Sequence, residues 1–220
     1  ANTFSIIAST SVDQSIDLIT NGTVSVRSLG AVGDGVTDNA GVLIFAGDNY
    51  NSVHLPNAEG EVYGVSSPWL IKTKQGFAIS ADNPKRSSGH VLKALAPMEA
   101  VLQLLDGSAV PGENIITLPH FVNVSIDADD LAVFGVACGK FGSIANQLVK
   151  FLQAGSLSIA RARFGFLIGG AAAGVETDSA GYGFDNLVIE ACTDGGLFVD
   201  TGNGAAIRLG TGILFGNGYS

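Results

Sequence analysis

Three segments in the second half of the chain carry charged residues of the types that act on sugars. The acidic candidates for catalysis are Asp127, Asp129, Asp130, Glu190 and Asp194, and the basic candidates for substrate binding are Arg161 and Arg163. Hydrolysis of a glycosidic bond needs two carboxyl groups about 5–10 Å apart on one exposed face. An arginine can hold a uronate carboxylate through paired hydrogen bonds. The same residues also suit a ladder of compensating surface charges, in which each ion pair contributes little to stability.

Other residue types with catalytic or metal-binding chemistry are few. The three histidines, His54, His90 and His120, lie in unrelated segments and match no metal-binding spacing, so we expect neither a metal nor a cofactor. A Ser-His-Asp arrangement cannot be read from the spacing. Trp69 is a candidate platform for stacking a sugar ring, although a tryptophan in a strand also suits the core.

Cys138 and Cys192 are the only cysteines, and both lie in apolar runs. Their separation matches neither a zinc motif nor a redox pair. We therefore expect two buried, reduced thiols that pack as small apolar side chains.

The elements that would position the charged residues are short apolar strands repeated along the chain. The segments Asn123–Ile126, Ser156–Ile159 and Asn186–Ile189 resemble one another, and their isoleucines are 33 and 30 residues apart. Each precedes a second apolar piece that contains a glycine. This period, with no helical stripe, predicts an all-β solenoid whose coils stack the charged segments on neighbouring levels of one side. A β-sandwich built from the same strands stays open as the alternative.

The overall composition excludes two classes of partner. The 220-residue chain has a net charge of −9, which argues against nucleic acid because its binding relies on lysine and arginine. Apolar residues make up 46% of the chain, but their runs are far shorter than the roughly 20 residues that span a bilayer. We therefore expect neither a nucleic-acid partner nor membrane insertion.

The string from Leu29 to Asp38, Leu-Gly-Ala-Val-Gly-Asp-Gly-Val-Thr-Asp, is the most specific motif in the chain. It resembles the opening of pectate-lyase-superfamily β-helices, a group that includes polygalacturonase-like enzymes and many phage tailspikes. The segments Ser52–Pro56 and Ser67–Ile71 resemble the strands that follow this motif in the family.

This resemblance implies a right-handed single-stranded parallel β-helix over residues 26–220, with a short N-terminal helical cap. Thr37 and Asp38 suit the N-cap of a short helix over about residues 39–47. The resemblance further implies that Gly33–Gly35 has a structural role and not a catalytic one.

The two ends of the chain differ from this repeat. Val12, Ile16 and Ile19 have helical spacing, so residues 1–25 are expected either to lie on their own domain or to act as a docking or oligomerisation segment. No capping element follows the last predicted coil. We therefore expect that another element covers this end or that the chain continues beyond Ser220.

Two functions remain open from the sequence. The first is a phage virion tail component, a homotrimeric β-helix that docks on other virion tail proteins through residues 1–25 and attaches to bacterial surface polysaccharide. The second is a polysaccharide depolymerase, a glycoside hydrolase or lyase that acts on host capsule or lipopolysaccharide. The short chain and the lack of a clear carboxylate pair favour the first. Its expected location is the virion, and the alternative location is extracellular.

Overall fold

The computed structural model describes residues 22–72, 74–82, 89–105, 115–142, 148–169, 181–200 and 206–216. Within them the chain forms one α-helix, α1 (Ala40–Asn49), a turn of 3-10 helix (Val26–Leu29) and short strands. The strands, in chain order, are β1 (Thr23–Ser25), β2 (Asp34–Asp38), β3 (Ser52–Leu55), β4 (Val62–Val65), β5 (Trp69–Ile71), β6 (Lys74–Gln75), β7 (Ala78–Ala81), β8 (Leu92–Ala94), β9 (Met98–Leu104), β10 (Ile115–Thr117), β11 (His120–Val122), β12 (Val124–Asp127), β13 (Ala132–Cys138), β14 (Leu148–Lys150), β15 (Gln153–Ala160), β16 (Phe164–Gly169), β17 (Tyr182–Glu190), β18 (Gly195–Asp200) and β19 (Ile207–Phe215).

These strands pair in parallel and stack into three sheets. Sheet A holds 11 strands, sheet B holds β5, β9, β13, β16 and β18, and sheet C holds β6, β10 and β14. The chain passes from sheet A through sheet B to sheet C and back, so that β7 to β10 make one coil and β11 to β14 make the next. The molecule is therefore a parallel β-solenoid of about five turns. The predicted solenoid is confirmed, and the sandwich alternative is excluded because sandwiches are built from antiparallel sheets.

The solenoid core consists of the apolar ladders that the sequence repeats predicted. Ile126 pairs with Ile159, which pairs with Ile189, and all three are 0% exposed. Gly135 and Gly165 stack in the same way across sheet B, where a Cβ atom on Gly135 would lie 3.0 Å from the carbonyl oxygen of Gly165. The period read from the sequence is thus the length of one coil.

Sheet A changes its construction along the solenoid. In the earlier coils it has two short strands, such as β11 and β12, separated by Asn123, whose φ of 56° bends the chain. In the next coil the single strand β15 pairs with both of them. The outer surface of sheet A is therefore divided in the earlier coils, with one part on β3, β7 and β11 and another on β4, β8 and β12.

Helix α1 covers one end of the solenoid by packing on β5. Its buried side chains include Leu43 and Ala46, and a Cβ atom on Gly47 would lie 3.0 Å from the Nε1 atom of Trp69. The predicted helix is confirmed and spans Ala40–Asn49, but its N-cap residue is Asn39 and not Thr37 or Asp38. Trp69 is 0% exposed beneath it, so this side chain belongs to the core and does not provide the sugar-stacking platform that the sequence suggested.

Side-chain hydrogen bonds hold the glycine-rich string ahead of α1 in its turn. The Asp34 carboxylate accepts hydrogen bonds from the backbone N–H groups of Val36, at 2.9 Å, and Thr37, at 2.7 Å. The Asp38 carboxylate accepts one from the N–H of Ala40, at 3.0 Å, and one from the Ser66 hydroxyl, at 2.5 Å. The second bond ties the start of α1 to the end of β4. The string therefore organises the first coil.

Strand β1 extends the solenoid into the predicted N-terminal segment. Thr23–Ser25 pairs with β3 on sheet A. The predicted docking helix falls within residues 1–21, which lie outside the described residues.

Both cysteines are buried, as predicted. Cys138 and Cys192 are each 1% exposed, and neither forms a disulfide. Burial raises the pKa of both thiols, which keeps them protonated and unreactive at neutral pH.

Candidate functional site

The first group of predicted charged residues meets at the corner between sheets A and B. Asp127 ends β12 and is only 7% exposed. Its Oδ1 accepts hydrogen bonds from Arg161 Nε and from the N–H of Asp129, both at 2.9 Å, and its Oδ2 accepts one from Arg161 Nη2. Arg161 Nη2 also lies 2.8 Å from Asp129 Oδ1, and Lys93 Nζ lies 3.3 Å from Asp129 Oδ2. These side chains form one network of ion pairs across adjacent coils.

The network favours the ionised form of Asp127. Burial raises the pKa of its carboxyl group, but the hydrogen bonds from Arg161 and from the backbone of Asp129 outweigh that effect, so the pKa lies below its ordinary value of 3.8. The hydrogen bond to Asp127 in turn raises the pKa of Arg161. A general acid in glycoside hydrolysis needs a raised carboxyl pKa instead. Asp127 is therefore suited to holding the corner together and not to donating a proton.

A second ion pair lies on the following coils. Arg163 Nε donates a hydrogen bond to Asp194 Oδ2, and the backbone N–H of Asp194 donates one to the carbonyl oxygen of Arg163 at 2.8 Å. Both side chains are largely exposed, at 61% and 37%. This pair is open to solvent and to a ligand.

The last two predicted acidic residues extend the same ladder. Glu190 is in register with Ala160, which is in register with Asp127, so the backbones of Glu190 and Asp127 are about 10 Å apart, or two strand spacings. The N–H of Asp130 donates to the carbonyl oxygen of Arg161 at 2.8 Å. The structure therefore brings together the acid–arginine–acid layers expected from the sequence, with both arginines engaged in ion pairs.

A strip of aromatic rings on sheet B lies beside these ion pairs. This phenylalanine strip consists of Phe134 on β13, Phe164 on β16, Phe198 on β18, and Phe141, which follows β13. Ring centroids are 5.7 Å apart between Phe134 and Phe164 and 5.3 Å apart between Phe164 and Phe198. Phe141 lies 6.0 Å from Phe134 and 5.9 Å from Phe198. All four distances fall in the range of favourable ring pairing.

Three rings of the phenylalanine strip, Phe134, Phe164 and Phe198, belong to a small apolar cluster that is separate from the main core. Phe134 is buried, at 2% exposure. Phe164 and Phe198 are half-buried, and Phe141 is 51% exposed. The guanidinium carbon of Arg163 lies 5.6 Å from the centroid of the Phe164 ring. Ring faces beside exposed charged groups offer both apolar stacking and hydrogen bonding to one ligand.

Sequence reasoning placed Phe134, Phe164 and Phe198 in the repeat without their outward position, and it did not identify Phe141. A signal was present next to them. Gly135 faces inward, because a Cβ atom there would overlap the side chain of Ile159, and its neighbour Phe134 consequently faces outward.

In the residues that the structure describes, no group of three or more histidine, cysteine, aspartate or glutamate side chains is placed to hold a metal ion. Across the same parts of the chain, no helix has the length and apolar character needed to cross a membrane.

Comparisons with known proteins give one similarity. No protein-family model and no curated protein matches the chain. Among solved structures, the chain is similar to a Geobacillus virus E2 protein, ORF18, with a TM-score of 0.41 and 13% sequence identity. The match covers 79% of this chain and 42% of that chain, so the chain spans less than half the length of the viral protein.

Proposed function

We propose that the chain is a module of a phage virion tail that attaches to bacterial surface polysaccharide. The contact surface is the phenylalanine strip together with the Arg163–Asp194 pair. The tail assignment is supported by the resemblance of Leu29–Asp38 to the opening of pectate-lyase-superfamily β-helices, many of which are tailspikes. The saccharide assignment is supported by the chemistry of the surface on sheet B.

The accessible rings of Phe164, Phe198 and Phe141 beside an exposed ion pair are the main support for saccharide binding. The ring spacings of 5.3 and 5.7 Å are close to the strand spacing of about 4.8 Å, so the rings follow the solenoid axis from coil to coil. A saccharide chain along this axis would place the apolar faces of its sugars on the exposed parts of Phe141, Phe164 and Phe198. Its hydroxyl groups would bond to the guanidinium of Arg163 and the carboxylate of Asp194.

The ion pairs favour binding over the cleavage expected of a depolymerase. Arg161 holds Asp127 and Asp129, and Arg163 holds Asp194. The hydrogen bonds from Arg161 and the Asp129 backbone keep the pKa of Asp127 below its ordinary value, which makes this carboxyl group a poor proton donor to a glycosidic oxygen.

In this proposal the module is a homotrimer in the virion, docked on other tail proteins through residues 1–25. Trimerisation would place three phenylalanine strips on one particle, and simultaneous contacts would raise the apparent affinity for a repetitive polysaccharide. Sedimentation of the full chain tests the trimer separately from binding.

Binding of the full chain to immobilised capsular polysaccharides and lipopolysaccharides tests the proposal. We expect binding to at least one glycan, loss of that binding in Arg163→Ala, and no release of reducing ends or unsaturated products. Release of either product that is abolished in Glu190→Gln would replace the proposal with the depolymerase. Failure to bind any glycan, or binding that Arg163→Ala leaves unchanged, would contradict it.

A further inference from the structure

A serine, a histidine and an aspartate meet on the outer surface of sheet A, away from the phenylalanine strip. The register of β3 and β7 places His54 beside Ser80. The Ser80 Oγ atom lies 3.0 Å from His54 Nδ1. On the other side of the ring, His54 Nε2 lies 3.3 Å from Asp82 Oδ1. The imidazole thus bridges a hydroxyl group and a carboxylate.

One backbone hydrogen bond helps to fix the carboxylate in this arrangement. The second oxygen of Asp82 accepts a hydrogen bond from the N–H of Asn57 at 3.1 Å. Because a carboxylate favours a proton on the nitrogen that faces it, Asp82 selects the histidine tautomer protonated at Nε2. The lone pair of Nδ1 then faces the hydroxyl of Ser80, as a general base must.

This site is accessible to a ligand. The side chains of His54 and Asp82 are 29% and 37% exposed, and Ser80 is partly exposed. The nucleophile, the base and the group that orients the base are therefore present, within hydrogen-bonding reach, on one open surface.

We propose that Ser80, His54 and Asp82 form a nucleophilic serine site that hydrolyses carboxylic esters. The Ser80 oxygen attacks the ester carbonyl while His54 Nδ1 takes its proton, and the leaving alcohol departs with that proton as the C–O bond breaks. Water then attacks the acyl-serine, His54 again relays the proton, and the carboxylic acid is released. Ser80 and His54 are catalytic residues, and Asp82 is a positioning residue.

A side-chain amide from the next coil lies beside this site. Val122 on β11 pairs with Ser80, and Asn123 follows it with its Nδ2 atom 3.5 Å from the carbonyl oxygen of Ala81. In the proposed reaction the N–H groups of this amide stabilise the negative charge that develops on the carbonyl oxygen. Loss of one such donor lowers a reaction rate about 100-fold or more.

A fluorophosphonate probe tests the site without any saccharide, so its outcome is independent of the proposed attachment function. Reaction forms a phosphorus–oxygen bond to an activated serine and expels fluoride, and it adds a defined mass to the protein. We expect a single adduct, mapped by peptide mass spectrometry to Ser80. Labelling should be abolished in Ser80→Ala and lowered about 100-fold or more in His54→Gln.

Matched variants separate chemistry from folding. Ser158 is another partly exposed serine on sheet A, in register with Ser125, and Ser158→Ala should label like the wild type. Asp82→Asn should lower the maximal labelling rate while leaving the probe concentration at half-maximal rate unchanged. Asn123→Gly, which tolerates the left-handed bend at this position, should also lower the maximal rate. Melting temperatures of the variants check that each remains folded.

The proposal is overturned if the wild type forms no adduct, if the adduct maps to another serine, or if folded His54→Gln labels at the wild-type rate. An unchanged rate in folded Asn123→Gly would overturn the role of that amide. An unchanged rate in folded Asp82→Asn would overturn the positioning role of Asp82.

Discussion

The Cγ2 methyl group of Ile189 occupies the space that a Cβ atom on Gly165 would need. Gly135 has the same relationship with Ile159 one coil earlier. Protein interiors are packed about as densely as organic crystals, so neither isoleucine has room to move aside freely. Sheets A and B therefore approach each other closely because sheet B has glycine at these two positions.

Gly165→Ala should destabilise the solenoid by about 1–3 kcal/mol, the usual cost of overpacking a core. The added methyl group would overlap Ile189, and it would also lie 2.6 Å from the carbonyl oxygen of Gly196. Urea denaturation can be followed by the fluorescence of Trp69, the only tryptophan, which is fully buried in the native state.

Gly41→Ala is the matched control, because the chemical change is identical and a Cβ atom on Gly41 would meet nothing within 4 Å. Gly41 lies within α1, where alanine is more favourable than glycine by about 0.5–1 kcal/mol, so this variant should be more stable than the wild type. Equal urea midpoints for the two variants would refute the close approach of the sheets.

Arg161→Ala should lower the free energy of unfolding by about 1–3 kcal/mol, because it leaves the buried carboxylate of Asp127 without its arginine. Arg208→Ala removes an arginine from an exposed ion pair, in which Nη2 lies 3.3 Å from Asp185 Oδ1 and the side chains are 73% and 71% exposed. That control should change stability by less than about 0.5 kcal/mol. Similar losses in the two variants would mean that burial of Asp127 has no energetic consequence.

Stability should fall in acid because the pKa of Asp127 is lowered in the folded state. Its contribution is fully present above the unfolded value of 3.8 and is lost as the pH falls through the lower folded pKa. Asp34 and Asp38 act in the same direction, since hydrogen bonds also lower their pKa values. The urea midpoint should therefore drop between about pH 5 and pH 2.

Asp127→Asn tests whether Asp127 is responsible for the loss of stability in acid. The variant should be less stable than the wild type at pH 7, and the difference should shrink as the pH falls and the wild-type carboxylate is protonated. A difference that stays constant down to about pH 2 would show that ionised Asp127 does not contribute to stability.

Asp38→Ala should destabilise the first coil by about 1 kcal/mol, the usual net contribution of a hydrogen bond to stability. It removes the hydrogen bonds to the start of α1 and to Ser66. Asp48→Ala, at the exposed end of the same helix, should have no destabilising effect, because an acidic residue in the last helical turn is unfavourable. Thermal unfolding of both variants gives the comparison.

The fold could be predicted because one physical requirement repeats in every coil. Ile126, Ile159 and Ile189 occupy the same core position in three successive coils, so isoleucine recurs in the sequence with the period of one coil. Helix α1 could be predicted because its start signal is local: Asp38, two residues before Ala40, accepts a hydrogen bond from the N–H of Ala40.

The candidate site was only partly predictable, because it depends on which way side chains face. Strict alternation would place Phe134 and Val136 on the same face of β13, yet Val136 is in the main core and Phe134 is in the outer cluster. The alternation of inward and outward side chains is interrupted at Gly135, which lies between these two residues and faces inward like Val136. Trp69 illustrates the converse, since it lies in the main core and Gly47 of α1 packs against its ring, a contact that the sequence does not reveal.

The contact between His54 and Ser80 could not be predicted from the sequence, for another reason. Coils in the second half of the chain are 30 to 33 residues long, whereas these two residues are separated by 26. Loop lengths vary between coils, so only the actual register of β3 and β7 identifies which side chains become neighbours.

Isothermal titration of a bound bacterial polysaccharide into Phe141→Ala and Phe45→Ala tests the saccharide-binding surface most directly. Both phenylalanines are 51% exposed, but Phe141 belongs to the phenylalanine strip and Phe45 lies on α1. We expect Phe141→Ala to weaken binding about 10-fold, which corresponds to the loss of one aromatic stacking contact of about 1.4 kcal/mol. Phe45→Ala should bind like the wild type. Equal affinities for the two variants, or weaker binding only in Phe45→Ala, would contradict the proposed role of the strip.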